Sequence, residues 1–207
     1  MTLKKLVLAT TNGGKVAEFR RALTGIEVVS ALELGVRDFP EETGGSYAAN
    51  ALTKASFVTA QTGLPSLADD SGLEVAALDG APGLYSARFG GLTSERERTE
   101  HLLTQLRGAP EAERGAQFVC VLGFVTPDSV TLDSVTPSGD AETFEGRCAG
   151  RITEAARGTG GHGYDPVFYS LDLSETFAEA SPEAKGRVSH RARALASFST
   201  WLEERSA

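Results

Sequence analysis

The 207-residue sequence has little cysteine, with only Cys120 and Cys148, and it contains one methionine and one tryptophan. The two cysteines do not form a CxxC pair and are too few for a disulfide framework. We therefore expect both thiols to be reduced core residues of a cytoplasmic protein, with a single disulfide as the alternative.

Long apolar runs and an excess of positive charge are also missing. No run approaches the ~18 apolar residues of a membrane span, and the first residues lack the apolar region of a signal peptide. With 20 Lys+Arg against 28 Asp+Glu the net charge is −8, which argues against a protein that coats nucleic acid. A small anionic ligand in a local basic pocket stays possible.

Helix and strand patterns alternate along the chain, which predicts an α/β fold with a mixed central sheet flanked by helices. Strands are predicted at 6–9, 26–29, 116–125 and 143–152, and helices at 15–23, 46–62, 94–106 and 189–204. The nearly continuous apolar run 116–125 is typical of a central strand. Ser181-Pro182 predicts a further helix start, and the Pro-, Ser- and Asp-rich stretch 127–140 predicts a turn or an edge hairpin.

The first segment with possible chemistry is the polar loop that joins the first strand to the first helix. Its residues are Thr10, Thr11, Asn12, Gly13, Gly14 and Lys15. Such a loop offers backbone N–H groups and a helix N-terminus to an anion, and the lysine adds a full charge. The spacing does not match a Walker A loop. The alternative is a plain turn with a solvated lysine.

Two pairs of neighbouring carboxylates follow. Glu41 and Glu42 precede a helix and are either metal ligands or solvated side chains. Asp69 and Asp70 come at the predicted end of an apolar run, where ligands bind in α/β sheets. Because like charges repel, a cation between the two aspartates is the favoured interpretation, with a tight Asp-Ser-Gly turn as the alternative.

Two later segments combine rings, glycines and positive charge. The segment 158–166 fits GxGxxG by letter, but no helix follows it, so a dinucleotide fold is excluded. Its rings could stack on a nucleotide base, and its carboxylate could hydrogen-bond the base edge. The segment 185–193 has four basic residues and no acid, which favours phosphate binding. The alternatives are a glycine-rich connector and a solvated helix face.

Taken together, six stretches resemble the inosine triphosphate pyrophosphatase-like family, whose enzymes hydrolyse non-canonical purine nucleoside triphosphates. The stretches are 9–15, 41–44, 68–73, 80–88, 158–166 and 189–191. They occur in the family's order and span nearly the whole chain, so chance agreement is very improbable.

The resemblance implies a homodimeric, elongated, two-lobed enzyme with a single domain over 1–207 and its site in the cleft. Such an enzyme cleaves ITP, dITP and XTP to the monophosphate and pyrophosphate with Mg²⁺. By analogy, Asp70 is the acid/base residue and a metal ligand, and Glu41 is the second metal carboxylate, with the register to Glu42 open. Residues 10–15 and Lys185 would hold the triphosphate, and Ser71 would contact substrate. The base pocket would comprise His162, Gly163, Tyr164, Asp165, His190 and Arg191.

Two positions depart from the family pattern. Thr11 stands where the family usually has glycine, and His162 stands where a phenylalanine usually stacks on the purine. An imidazole can still stack, and it gains charge at acid pH. Two other functions remain open: a pyrophosphatase for modified pyrimidine nucleotides, and a non-catalytic nucleotide-binding regulator.

Overall fold

The secondary structure alternates between strands and helices, as the α/β prediction requires. The structure, a computed structural model, describes residues 3–130 and 141–206. The strands are β1 (Lys5–Leu8), β2 (Glu27–Ser30), β3 (Ser66–Val75), β4 (Gly115–Val125), β5 (Glu142–Ile152), β6 (Phe168–Ser170) and β7 (Glu175–Thr176). The helices are α1 (Gly13–Ala22), α2 (Tyr47–Thr62), α3 (Glu95–Gln105), α4 (Pro182–Val188) and α5 (His190–Glu204).

The strands form one mixed sheet in the order β2-β1-β3-β4-β5-β6-β7. β1 pairs in parallel with β2 and β3, whereas β6 pairs antiparallel with β5 and β7. The predicted strand 116–125 is β4, the middle strand, and every residue from Phe118 to Val125 is buried. Both the mixed sheet and the central strand are therefore confirmed.

The chain divides into two compact units. The first contains the described parts of 1–70, 120–145 and 194–207, and the second contains 71–119 and 146–193. The chain passes from the first unit to the second between Asp70 and Ser71, within β3. A single domain over 1–207 stays a prediction.

In the first unit, β1 is buried on both faces. Leu6 lies in one apolar cluster with Phe19 of α1 and Phe198 of α5. Val7 lies in a second cluster with Ala55 of α2. Because successive strand residues point to opposite faces, α1 and α5 cover one face of this part of the sheet and α2 covers the other.

In the second unit, the core is built around the Phe118 ring. Its centroid lies 4.6 Å from that of Phe168. The His190 ring stacks on Phe118 at 4.7 Å and 13°. Phe177 and Tyr164 belong to the same buried cluster. Aromatic pairs at these separations add stability beyond the area they bury.

Three helices begin directly after a serine whose side chain caps them. The side chains of Ser46, Ser94 and Ser181 accept hydrogen bonds from first-turn backbone N–H groups of α2, α3 and α4. Pro182 occupies the first turn of α4, where no N–H is needed. The helix start predicted at Ser181-Pro182 is therefore confirmed.

Two absences in the sequence have structural counterparts. Neither Cys120 nor Cys148 forms a disulfide, and both are buried, so the prediction of core cysteines outside a disulfide is confirmed. Among the described helices, none combines the length and the apolar character that a membrane crossing requires.

The turn or hairpin predicted over 127–140 falls mainly outside the described residues. The described part contains a short 3-10 turn, Pro127–Ser129. The Thr126 and Ser129 hydroxyl oxygens lie 3.0 Å apart and share a hydrogen bond, so the Pro-Asp-Ser sequence does form a turn here.

Candidate active site

Asp69 and Asp70 lie inside β3, not at its end as predicted, and the strand continues to Val75. Leu67 belongs to the cluster on the α1 and α5 face, and Ala68 belongs to the cluster on the α2 face. By the same alternation, Asp69 lies on the α1 face and Asp70 lies on the α2 face. Because each aspartate pairs with different polar side chains on its own face, two adjacent carboxylates can be buried in one strand.

Asp70 is 8% exposed and is held by two residues of α2. The Asn50 side-chain amide donates to Asp70 Oδ2 at 3.0 Å, and Lys54 Nζ lies 3.5 Å from Asp70 Oδ1. Burial raises the pKa of the Asp70 carboxyl, and this effect exceeds the opposing influence of Lys54 and Asn50. A raised carboxyl pKa moves this group towards the range useful for accepting a proton near neutral pH.

Lys54 connects three segments of the first unit. Its side chain is 11% exposed, and Nζ donates to Glu42 Oε1 at 2.6 Å and to the Asp69 carbonyl oxygen at 2.8 Å. Burial alone lowers the pKa of Lys54, but the charges of Asp70 and Glu42 outweigh it and raise the pKa. Lys54 is therefore a charged lysine between two carboxylates.

Glu42, and not Glu41, is the glutamate that the structure joins to Asp70. Glu41 is exposed, and in the described part of the chain its side chain makes no hydrogen bond or ion pair. The loop position is fixed by Gly44, whose N–H donates to the Asn50 side-chain oxygen at 2.8 Å. The structure therefore links Glu42 to Asp70 through Lys54, and the choice between Glu41 and Glu42 as the second metal carboxylate stays a prediction.

Asn50 and Lys54 are functional candidates that the sequence reasoning missed. They are four residues apart and share one face of α2. Ala51, Ala55 and Val58 on the same helix are fully buried. The sequence did contain a signal for them, namely two polar residues four apart among the apolar positions of the predicted helix 46–62.

The donor set at this point of the first unit fits a magnesium ion. Asp70 and Glu42 supply carboxylate oxygens, and Mg²⁺ usually takes one or two protein carboxylates together with water and phosphate oxygens. Among residues 3–130 and 141–206, no group of three or more His, Cys, Asp and Glu side chains could hold a metal ion. A site with only two protein carboxylates matches magnesium bound together with a phosphate substrate.

The loop of residues 10–15 is ordered by its own side chains. Asn12 caps α1: its Oδ1 accepts from Gly14 N at 2.9 Å and from Lys15 N at 3.2 Å. The Thr10 hydroxyl oxygen accepts from Asn12 N at 3.2 Å. A cavity of about 320 Å³ lies beside the loop, and its lining includes Thr10, Thr11 and Gly13. The loop thus has the helix-N-terminal position that the sequence predicted for an anion-binding segment.

Lys15 is ion-paired with the buried Asp69 carboxylate on the α1 face of β3. The other carboxylate oxygen, Asp69 Oδ2, accepts from Cys120 Sγ at 3.2 Å. The two aspartates therefore serve different lysines, because Asp69 pairs with Lys15 while Asp70 faces Lys54. Each aspartate thus has its own lysine on its own face of β3, an arrangement that differs from the single shared cation favoured by the sequence.

In the second unit, Asp165 connects the glycine-rich segment to Lys185. Asp165 is 2% exposed, and its Oδ2 accepts from Lys185 Nζ at 2.5 Å and from His162 N at 2.7 Å. A Cβ atom at Gly161 would lie 2.1 Å from Asp165 Oδ2, so a side chain there cannot be accommodated. Asp165 thus orders its own segment, and its contact with the edge of a base stays a prediction.

Tyr164 is a core residue, which disfavours the predicted stacking of its ring on a base. The side chain is 5% exposed, and its hydroxyl donates to the Ser86 carbonyl oxygen at 2.9 Å. Burial raises the pKa of the Tyr164 hydroxyl to about 12. Of the two rings predicted to stack, only His162 is partly exposed.

The remaining predicted residues of the second unit are Ser71, Gly163, His190 and Arg191. Gly163 N donates to Glu95 Oε2 at 2.9 Å. Arg191 is 3% exposed, and its Nη2 lies 3.4 Å from the Ser71 hydroxyl oxygen. Arg191 and Ser71 are thus brought together, while His190 stacks in the core.

Comparison with known proteins gives consistent matches over nearly the whole chain. The sequence profile of the Ham1 family matches residues 6–201. A dITP/XTP pyrophosphatase of Thermus thermophilus is 48% identical over 193 residues, covering 92% of this chain and 88% of that protein. A dITP/XTP pyrophosphatase of Deinococcus deserti is 45% identical over 195 residues, covering 94% and 88%.

Solved structures agree with the sequence matches. A HAM1 protein from Coxiella burnetii has a TM-score of 0.85 at 38% identity and covers 98% of this chain and 100% of its own. A nucleoside-triphosphatase / dITP/XTP pyrophosphatase from Mycobacterium abscessus has a TM-score of 0.73 at 41% identity, covering 94% and 98%. These matches confirm the resemblance drawn from the six motifs. On sequence profile, relatives and fold alike, the chain belongs to the Ham1 family.

Proposed function

We propose that this protein hydrolyses non-canonical purine nucleoside triphosphates, namely ITP, dITP and XTP, to the monophosphate and pyrophosphate. Relatives at 45–48% identity carry the name dITP/XTP pyrophosphatase. The observation that carries the proposal is the buried Asp70, which is joined through Lys54 to Glu42. A carboxylate with a raised pKa beside a second carboxylate suits water activation next to a metal-bound phosphate.

We assign the metal to Asp70 and Glu42, with Mg²⁺ as the ion. When bound, Mg²⁺ neutralises phosphate charge and lowers the pKa of a water molecule. The carboxylates themselves hold the ion and orient the water. Lys54, which contacts both carboxylates, limits their mutual repulsion before the ion arrives.

Asp70 is the proposed proton acceptor for in-line attack of water at the α-phosphorus. Lys15 lies in the first turn of α1, and Asn12 already orders the loop that precedes this helix. In this proposal the Lys15 ammonium binds the phosphate chain. Lys185 is the second phosphate cation of the proposal. Lys15 contributes its charge to substrate binding, and positive charge at Lys185 stabilises the negative charge that builds on the departing pyrophosphate.

Base selection rests on donors that suit a 6-oxo purine. Two backbone N–H groups of the predicted base segment, at His162 and Gly163, are already bonded within the unit. Arg191 and the partly exposed His162 ring are therefore the proposed base contacts. An adenine 6-amino group that faces such a donor leaves both donors without an acceptor. The lost binding free energy is roughly 1–3 kcal/mol, which corresponds to ten- to a hundredfold selectivity against adenine.

The assembly and location of the protein belong to the same proposal. We expect a homodimer that acts on free nucleotides in the cytoplasm, with no nucleic acid or membrane as partner. The net charge of −8 agrees with a substrate that is a small anion accompanied by its own magnesium, and disfavours a nucleic-acid polyanion.

A panel of triphosphates tests the proposed function. Initial rates are measured on ITP, XTP, dUTP, a methylated pyrimidine triphosphate and ATP, each with and without Mg²⁺. We expect turnover of ITP and XTP that depends on Mg²⁺, with ATP slower by at least roughly tenfold. Faster turnover of the pyrimidine triphosphates than of ITP and XTP would show that modified pyrimidine nucleotides are the substrates. No turnover of any triphosphate would favour a nucleotide-binding regulator.

Glu42→Gln and Glu41→Gln form a matched pair that tests the metal assignment. Because Glu42 shares Lys54 with Asp70, Glu42→Gln should raise the Mg²⁺ concentration for half-maximal rate by about tenfold or more. Glu41→Gln should leave it nearly unchanged, since that side chain is exposed. Manganese binding, measured by calorimetry without substrate, gives a second readout. A larger effect from Glu41→Gln than from Glu42→Gln would make Glu41 the second metal carboxylate and contradict this assignment.

A further inference from the structure

Asp69 is a fully buried carboxylate, with a side chain that is 0% exposed. A charge in that position is stable only when other groups compensate it. The Lys15 ammonium and the Cys120 thiol contact its two oxygens. Since water does not reach the side chain, Asp69 is poorly placed to hold a hydrated metal ion or to activate water.

Lys15 differs from its partner because it is partly open to solvent, with 20% of its side chain exposed. A lysine ammonium is a point charge on a flexible four-carbon stem. Pairing with a buried carboxylate restricts that stem before any ligand arrives. A ligand that then meets the ammonium loses less conformational entropy on binding.

β3 keeps this contact separate from Asp70. Asp69 lies on the α1 face, and Asp70 lies on the α2 face, where it meets Asn50 and Lys54. The Asp69 carbonyl oxygen also accepts from Lys54 Nζ at 2.8 Å. One residue thus contacts two lysines, one with its side chain and one with its backbone.

We propose that Asp69 is a positioning residue, which holds the Lys15 ammonium where the phosphate chain of the substrate binds. This inference rests on the proposed function for the identity of the ligand. Asp69 itself touches neither the substrate nor the metal in this proposal. Loss of its charge should therefore weaken phosphate binding and leave the chemical step nearly intact.

The test compares Asp69→Asn, Lys15→Met and the double variant in steady-state kinetics on ITP. Either single change should raise KM by roughly tenfold, as for one lost charge-assisted hydrogen bond, with kcat nearly unchanged. The double variant should match Lys15→Met alone, because the two residues act as one unit. Asp172→Asn, at an exposed ion pair of the second unit, is the control.

Binding of inorganic tripolyphosphate, measured by calorimetry, separates this inference from the proposed function. If ITP is not hydrolysed, the proposed function fails, yet the same non-additive loss of tripolyphosphate affinity would still support the pairing. Lys15→Met alone leaves the buried Asp69 carboxylate without its cation, whereas the double variant leaves no buried charge there. If Lys15→Met does not fold, the double variant is compared with Asp69→Asn, and the two should show the same loss. Losses that multiply in the double variant, a drop in kcat at constant KM, or no tripolyphosphate binding to the wild type would overturn the inference.

Discussion

Asp70→Asn is expected to reduce kcat on ITP by about 10²–10⁴-fold, the range for loss of a general base. Asparagine keeps the size and can still hydrogen-bond, but it cannot accept the proton of the attacking water. It also removes one of the two carboxylates proposed for magnesium. The substrate should still bind, since Lys15 and Lys185 are untouched. Steady-state kinetics together with nucleotide binding under non-turnover conditions measure both effects.

Asp79→Asn is the control for this variant. Asp79 is exposed and has a positive φ of 50°, a conformation that asparagine also tolerates. Its rate should equal that of the wild type. An Asp70→Asn protein with full activity would remove Asp70 from the proposed catalytic role.

Lys54→Met is expected to lower the free energy of unfolding by about 3 kcal/mol and to abolish most activity. Methionine fills the space of the lysine stem but leaves Asp70 buried without its cation, and Glu42 loses its ion pair. An uncompensated buried carboxylate is among the most destabilising results of a single change. Urea unfolding, followed by circular dichroism, measures the stability.

Two further variants isolate the charge effect. Lys5→Met removes an exposed lysine from its ion pair with Glu27, where 38% and 63% of the side chains are exposed, so stability should hardly change. Lys54→Met combined with Asp70→Asn should recover part of the lost stability, since the unpaired charge is gone. A Lys54→Met protein as stable as Lys5→Met would contradict the account of this cluster.

Elements that depend on local signals could be predicted from the sequence. The capping serines at 46, 94 and 181 stabilise the first turn of their own helices, so their effect needs no knowledge of the fold. The apolar run 116–125 predicted a central strand because its composition suits burial on both faces. The segment 10–15 was correctly predicted to lie between the first strand and the first helix. Its order is also local, since Asn12 caps that helix.

The residues around Asp70 could not be found in this way. Lys54 and Asn50 matter only because β3 lies against α2, and that pairing joins segments about 15 to 20 residues apart in sequence. The choice between Glu41 and Glu42 depends on a loop without periodicity, held by the Gly44 hydrogen bond to Asn50. Neither fact has a local signature.

Burial of single rings was equally hard to predict. Tyr164 follows four glycines within seven residues and was expected to be available for stacking, yet tertiary packing places it in the core. His190 was expected beside the base, yet it stacks on Phe118. In both cases the strand or helix that covers the ring comes from a distant part of the sequence.

Hydrolysis of ITP in ¹⁸O-labelled water tests the central claim most directly, namely that water attacks the α-phosphorus. Mass spectrometry of the products after one turnover locates the oxygen. The account predicts one labelled oxygen in the inosine monophosphate, unlabelled pyrophosphate and no orthophosphate. Label in the pyrophosphate, or orthophosphate as the first product, would contradict it.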